Sequence, residues 1–344
     1  MTGNRLVAMM RAARRQVARL AVLAVILVVA FYFLSWPTNY LILRPGQAVD
    51  VGPMISVDGQ AGESQGLLMT TVFTNQARLW LAVVGVFHPG IDMVHLSNIL
   101  RPGQTIEEYY LQNQWLMKDS QALAIQLAFE QLGYPVHMAG EGAVVTYVLP
   151  DAPAHGELKV GDVITHLDSM TVQTGDELLA YLQEISPGDI VAVRYAREQE
   201  IASVEIETGE HPEDAMRSYI GIMVLTAGPQ VIGPSDVTID AGEVGGPSAG
   251  LMFTLQVMGR YDRELVPQGL VIAGTGILDR DANVNPVGGV RQKVQAAEKA
   301  GADVFLVPAA NAREAEQAAT TVDVFPVGNL DEAVQVLFSL DKAS

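Results

Sequence analysis

Gly245-Gly246-Pro247-Ser248-Ala249-Gly250, followed by an apolar run, and Gly288-Gly289-Val290-Arg291-Gln292-Lys293, which opens a helical pattern, decide how this chain is read. Each glycine-rich segment leads into a helix and carries one reactive side chain near its start. Pro247 suits the first position of a helix, where its missing N–H is not needed. The spacing predicts Ser248 in the first helical turn, beside free backbone N–H groups and the positive end of the helix dipole. Gly245, Gly246 and Gly250 would let a substrate backbone approach closely. A serine hydroxyl is a weak nucleophile until a neighbour takes its proton. A lysine does this once burial lowers its pKa toward neutrality. Lys293 borders the apolar stripe Val290, Val294, Ala297 and Gly301, so burial is open to it. Read singly, the first segment is also an ordinary helix start with small packing residues, and a helical lysine is also an ordinary solvated one.

The rest of the chain narrows the chemistry. There is no cysteine, which excludes disulfides and thiolate catalysis. The six histidines all lie at or before His211, so the Ser248 region has no local imidazole partner. His88 and His95 flank Asp92, but this is not a helical ligand pair, and no metal site or cofactor is expected. No phosphate-cradling G-x-x-x-x-G-K-[ST] loop occurs, so no ATP site is expected.

At 344 residues and 49% hydrophobic, the chain has material for two packed domains. Charge is unevenly placed. Arg5, Arg11, Arg14, Arg15 and Arg19 precede the first acid, Asp50, and the chain beyond Arg19 is strongly acidic. Such a body repels nucleic acid. Residues 20–36 are apolar or aromatic except Ser35, near the lower length limit for a membrane span. Val17 and Ala18 extend the run, with Arg19 snorkelling to the interface. Phe31, Tyr32, Phe33 and Trp36 form an aromatic belt at its far end, and the arginines before it place the N-terminus in the cytoplasm and the body outside. A cleaved signal peptide is the other reading, but Phe33-Leu34-Ser35-Trp36-Pro37 is a poor cleavage site.

Residues 40–59 read as an extended lead-in. Residues 67–73 and 79–87 read as strands, and 106–132 as a helix with Glu107 and Glu108 in its first turn. A small β-rich module comes next, with strands at 143–148, 163–167, 190–195 and 203–207 around a helix at 175–184. Beyond Ser218, strands at 220–225, 236–240, 270–274, 304–307 and 322–327 alternate with helices at 250–259, 290–301, 311–320 and 330–340. This is a mixed α/β (α+β) layer pattern.

Gly-Gly-Pro-Ser-Ala-Gly, then Ala273-Gly274-Thr275-Gly276, then Asn285-Pro286-Val287-Gly288-Gly289-Val290-Arg291-Gln292-Lys293, in this order and spacing, resembles the proteolytic domain of Lon-type serine proteases. Ala296-Ala297-Glu298-Lys299-Ala300-Gly301 and Phe305-Leu306-Val307-Pro308 continue the match. Upstream, Gly66-Leu67-Leu68-Met69-Thr70 and Met117-Lys118-Asp119-Ser120 are similar to the first half of that domain. The inserted module resembles a PDZ domain through Val144-Val145-Thr146-Tyr147-Val148, Asp151-Ala152-Pro153-Ala154 and Leu158-Lys159-Val160-Gly161-Asp162-Val163-Ile164. The whole is similar to bacterial membrane-anchored PDZ-Lon-like proteases.

The resemblance implies an ATP-independent serine endopeptidase acting on unfolded or membrane-proximal proteins. It makes Ser248 the nucleophile, Lys293 the base and Thr275 the residue that orients the lysine, with Gly246, Pro247 and Ala249 supporting. It also implies a ring homo-oligomer, a hexamer. The expected domains are a basic N-terminus at 1–19, a span at 20–36, a linker at 37–59, half-domains at 60–138 and 209–342, and a PDZ-like module at 139–208. Peptide is expected on the 143–148 strand, with Gly142, Val144 and Val145 lining a groove against the 175–184 helix. A silent membrane-anchored PDZ adaptor on the same scaffold is the competing class. One departure stands out: Ala282 replaces the glycine usual in the turn before the lysine segment, and is strained if that turn needs a positive φ.

Overall fold

The computed structural model describes residues 2–87 and 90–341, so His88 and Lys342 lie outside it. The chain divides into two compact units. Unit 1 comprises Met1–Arg44 and Phe73–Ile99, and unit 2 Pro45–Val72 and Leu100–Ser344.

Unit 1 holds helix α1 (Thr2–Leu34), which contains one apolar, fully exposed stretch at Gln16–Leu34 long enough to cross a membrane. Strand β1 (Pro37–Asp50) starts in this unit and β2 (Leu67–Arg78) ends in it. Next come helix α2 (Leu79–Phe87) and strand β3 (Asp92–His95). β3 pairs antiparallel with β1, from Tyr40↔His95 to Leu43↔Asp92. The 79–87 segment is therefore a helix where a strand is expected. A nine-residue run without a polar residue has no period, so pattern alone does not separate the two states. The helix buries Gly85, where an added Cβ would lie 3.2 Å from both Ile91 and Met93.

Unit 2 contains the two larger cores. Helix α3 (Ile106–Gln131) opens with a Thr105–Glu108 capping box, as the acids of its first turn suggest. The β-rich module comprises β4 (Ala143–Val148), β5 (Val163–Leu167), α4 (Gly175–Glu184), β6 (Ile190–Arg197), β7 (Glu200–Glu207) and β8 (Ile222–Thr226). Its sheet runs β7-β6-β5-β4-β8 around a core of Val145, Ile164, Leu167, Leu178 and Val193. β8 brings the module's sheet past Thr208, beyond the expected boundary. Asp162, 1% exposed, is held by Arg197 through two 2.7 Å contacts and fixes the turn at 159–162. The chain leaves and returns side by side, since His137–Ala139 pairs antiparallel with Gln230–Ile232. That geometry lets a module be inserted without spreading the host.

After the module come β9 (Val237–Ile239), α5 (Gly250–Tyr261), β10 (Ile272–Gly274), β11 (Ile277–Leu278), β12 (Val284–Asn285), α6 (Val290–Lys299), β13 (Val304–Pro308), α7 (Ala312–Ala318), β14 (Asp323–Val327) and α8 (Leu330–Asp341). β14, β13, β10 and β2 lie side by side and run parallel, with β1 next to β2. Side chains alternate across this sheet. Ile272, Leu306 and Met69 face a core shared with α3, α5 and α8, while Ala273, Phe305 and Val307 face α6 and α7. Gly274 is needed at the centre: a Cβ there would lie 2.5 Å from Met252 Sδ of α5.

Ala282 occupies the β11–β12 turn with φ +59°, so the strain expected from the sequence is present. Burial would raise the Asp279 carboxyl, but hydrogen bonds from Asn285, Asn283 and the Asp281 amide outweigh it and hold it below its ordinary value. The turn is thus fixed by its neighbours against the preference of alanine. Ala282→Gly is expected to stabilise the fold by about 1 kcal/mol. A thermal midpoint that stays level or falls would show that the left-handed conformation carries no cost here.

Candidate active site

Three elements meet at the carboxyl end of β10, the central parallel strand, where open α/β sheets place their ligand sites. Thr275 comes directly after that strand. Ser248 lies in the turn just ahead of α5, whose first residue is Gly250. The serine is thus two residues ahead of the helix rather than inside its first turn. Lys293 is on the first turn of α6, which starts after Gly289 in the left-handed region at φ +69°. A side chain at Gly289 would also press on Val72, with Cβ 2.8 Å from its Cγ2.

Lys293 Nζ lies 2.9 Å from Ser248 Oγ and donates to Thr275 Oγ1 at 2.8 Å. Thr275 is fully buried and Lys293 is 3% exposed. Burial pushes the Lys293 ammonium down to about 7, because no carboxylate compensates its desolvation. Thr275 Oγ1 donates its own proton to the Ser248 carbonyl at 3.0 Å. It can therefore only accept from the amine. That leaves the lone pair of a neutral Nζ free to face Ser248 Oγ.

The serine turn is fixed on every side. Gly276 N–H donates to the Ser248 carbonyl at 2.8 Å, and Gly246 N–H, in a residue with φ +87°, donates to the Asn113 carbonyl at 2.8 Å. The Pro247 carbonyl accepts from Ser120 Oγ at 3.1 Å. Ala249 is buried and its carbonyl accepts from Phe253 N–H at the start of α5. The amides of Ser248 and Ala249 donate to no carbonyl among the described residues. Asn113 and Ser120, both on α3, are structural partners that local reading does not reveal. The Ser120 segment carries a resemblance but no role, and Asn113 has no sequence signal at all.

A cavity of about 730 Å³ opens between Lys118, Gln121 and Ile125 of α3 and the stretch from Gln230 to Ile239. The chain runs from this stretch straight to the serine turn. No cluster of potential metal ligands occurs among the described residues.

The peptide groove needs correction. β4 has no free edge, because β5 pairs with Ala143 and Val144 while β8 covers Ala143 to Val148. Val145 N–H donates to the Asp162 carbonyl, and Gly142 N–H to the Gln173 carbonyl. Gly142, Val144 and Val145 thus have no backbone edge to offer a peptide. The edge strand beside α4 is β8: Gly175 N–H donates to Thr226 Oγ1 at 3.2 Å. Gly221, at φ +78° just before an apolar run, is the signal that marks its start.

Comparison with known proteins finds two families along the chain. Residues 130–208 match the PDZ domain, and residues 236–339 match the Lon protease (S16) C-terminal proteolytic domain. A probable periplasmic serine endoprotease DegP-like of Halomonas elongata is 32% identical over 74 residues, covering 21% of this chain and 16% of that protein. The PDZ domain of the SdrC-like protein of Listeria monocytogenes is 26% identical, with TM-score 0.23, over 24% of this chain and 87% of that one. Its counterpart from Listeria innocua is 27% identical, with TM-score 0.23, over 24% and 92%. The chain therefore combines a PDZ domain with a Lon-type proteolytic domain, behind one N-terminal helix long and apolar enough to span a membrane.

Proposed function

We propose that this protein is an ATP-independent serine endopeptidase that hydrolyses unfolded or membrane-proximal proteins with a Ser248–Lys293 dyad. The observation that carries the reading is the amine of a buried lysine, with its pKa brought to about 7, at 2.9 Å from a serine hydroxyl. Neutral Lys293 takes the Ser248 proton as Oγ attacks the peptide carbonyl, then passes it to the leaving amine. Water repeats the sequence on the acyl-enzyme. The amides of Ser248 and Ala249 are the donors for the oxyanion. Thr275 keeps the lysine lone pair aimed at the serine. A peptide adds to the free edge of β8 against α4 and selects or regulates. α1 anchors the body to the membrane from its outer side.

The full-length chain in detergent should cleave casein without nucleotide, and added ATP should leave the rate unchanged. Cleavage that depends on ATP would remove the nucleotide-independent reading. A folded parent chain that does not cleave, with or without a PDZ-binding peptide, would favour the adaptor class.

A further inference from the structure

We propose that α2 is a second membrane contact, lying in the interface of the same bilayer that α1 spans. This rests on the reading of α1 as a membrane anchor. All nine residues of Leu79–Phe87 are apolar. Trp80, Val83 and Val84 share one face of the helix, by their spacing of three and four, and are 48%, 52% and 44% exposed. The opposite face carries Gly85, buried against Ile91 and Met93. The helix is thus already packed on its own unit by one side and shows bare hydrocarbon and an indole on the other. Trp is the residue that favours the level where lipid meets water.

The position of the helix names the occupant. Leu79 N–H donates to the Trp36 carbonyl at 3.0 Å, just past the end of the apolar stretch Gln16–Leu34. Thr38 Oγ1 donates to the Ala77 carbonyl at 2.8 Å, and Gln76 Nε2 to the Thr38 carbonyl at 3.0 Å. α2 therefore begins at the level where α1 leaves the bilayer. Trp36, 57% exposed, extends the apolar surface there.

Charge separates the units in the same sense. Of the chain's 21 basic and 39 acidic residues, unit 1 carries seven basic and one acidic, Asp92. Arg44 and Arg78 are exposed, and Arg78 directly precedes α2. A surface of this kind suits anionic headgroups, whereas the acidic residues of unit 2 are repelled by them. A water-facing role would leave Trp80, Val83 and Val84 without cover.

The absence of cysteine makes the test direct. Single cysteines replace Val83, Val84, Leu27 at mid-span and Met216, which is 86% exposed in unit 2. Each full-length variant is nitroxide-labelled and reconstituted in phosphatidylcholine–phosphatidylglycerol vesicles. Thermal unfolding checks each fold. These positions are solvent-exposed, so the changes remove no core contact. Collision with oxygen is compared with collision with a water-soluble nickel chelate. Labels at 83 and 84 should fall between Leu27→Cys and Met216→Cys, with severalfold less access to nickel than Met216→Cys. Nickel access equal to that at 216 overturns the proposal, because the face is then in water. Exclusion of both reagents overturns it too, because protein, such as a second copy, then covers the face. A Leu27→Cys label that is open to nickel removes the anchor reading itself, which separates that failure from failure of the α2 contact alone.

Discussion

Lys293→Met is expected to reduce casein cleavage by at least about 10⁴-fold while making the protein harder to unfold at neutral pH. Ser248→Ala should match the loss, and the double variant should be little worse, because nucleophile and base act as one unit. Stability separates the two single variants. Lys293 is driven to about 7 when folded and returns to its ordinary 10.5 when unfolded. The unfolded chain then binds more protons between those limits, so native stability rises with pH across the window. Below about 7 the full penalty applies, of order 5 kcal/mol before its two hydrogen bonds offset part of it. Methionine carries no such penalty. Its advantage should be full at pH values below about 7 and fade as pH approaches 10.5. A variant that is less stable than the parent at pH 7 would mean that the amine is not desolvated.

Thr275→Val is expected to lower kcat about 10- to 100-fold, the cost of one or two hydrogen bonds in a buried network. The parent should show cleavage that rises with pH through a midpoint near 7, because only the neutral amine accepts the serine proton. Valine keeps the shape of threonine but removes the oxygen that accepts from Nζ and the proton given to the Ser248 carbonyl. The ammonium form loses an acceptor, so the midpoint should move to lower pH as the rate falls. A lower rate with an unmoved midpoint would make Thr275 a packing residue only. A flat profile from about pH 6 to 9 would count against Lys293 as base.

Much of this site is legible in the chain itself. Ser248 and Lys293 are marked by glycine and proline, whose backbone roles are local, and Thr275 comes after a short apolar strand that ends in two small residues. The module helix at Gly175–Glu184 can be read to the residue, because Thr174 and Glu177 form a capping box at its start. The illegible parts depend on pairing across long separations. β8 covers β4 through Thr226↔Ala143, so the groove strand cannot be picked out from the module's own stretch of sequence. The side-by-side return of the chain at 230–232 is hidden in the same way. α2 escapes for another reason: a uniformly apolar segment carries no period to read.

The serine turn is held by groups distant in sequence. Lys293 meets Ser248 across 45 positions, Ser120 bonds Pro247 across 127, and Thr70 bonds the Gly274 carbonyl, beside Thr275, across 204. The lysine is an ordinary protonated one until the helix that carries it is packed, because burial alone lowers its pKa. On the proposed reading, the amine therefore comes within reach of neutrality only with tertiary packing.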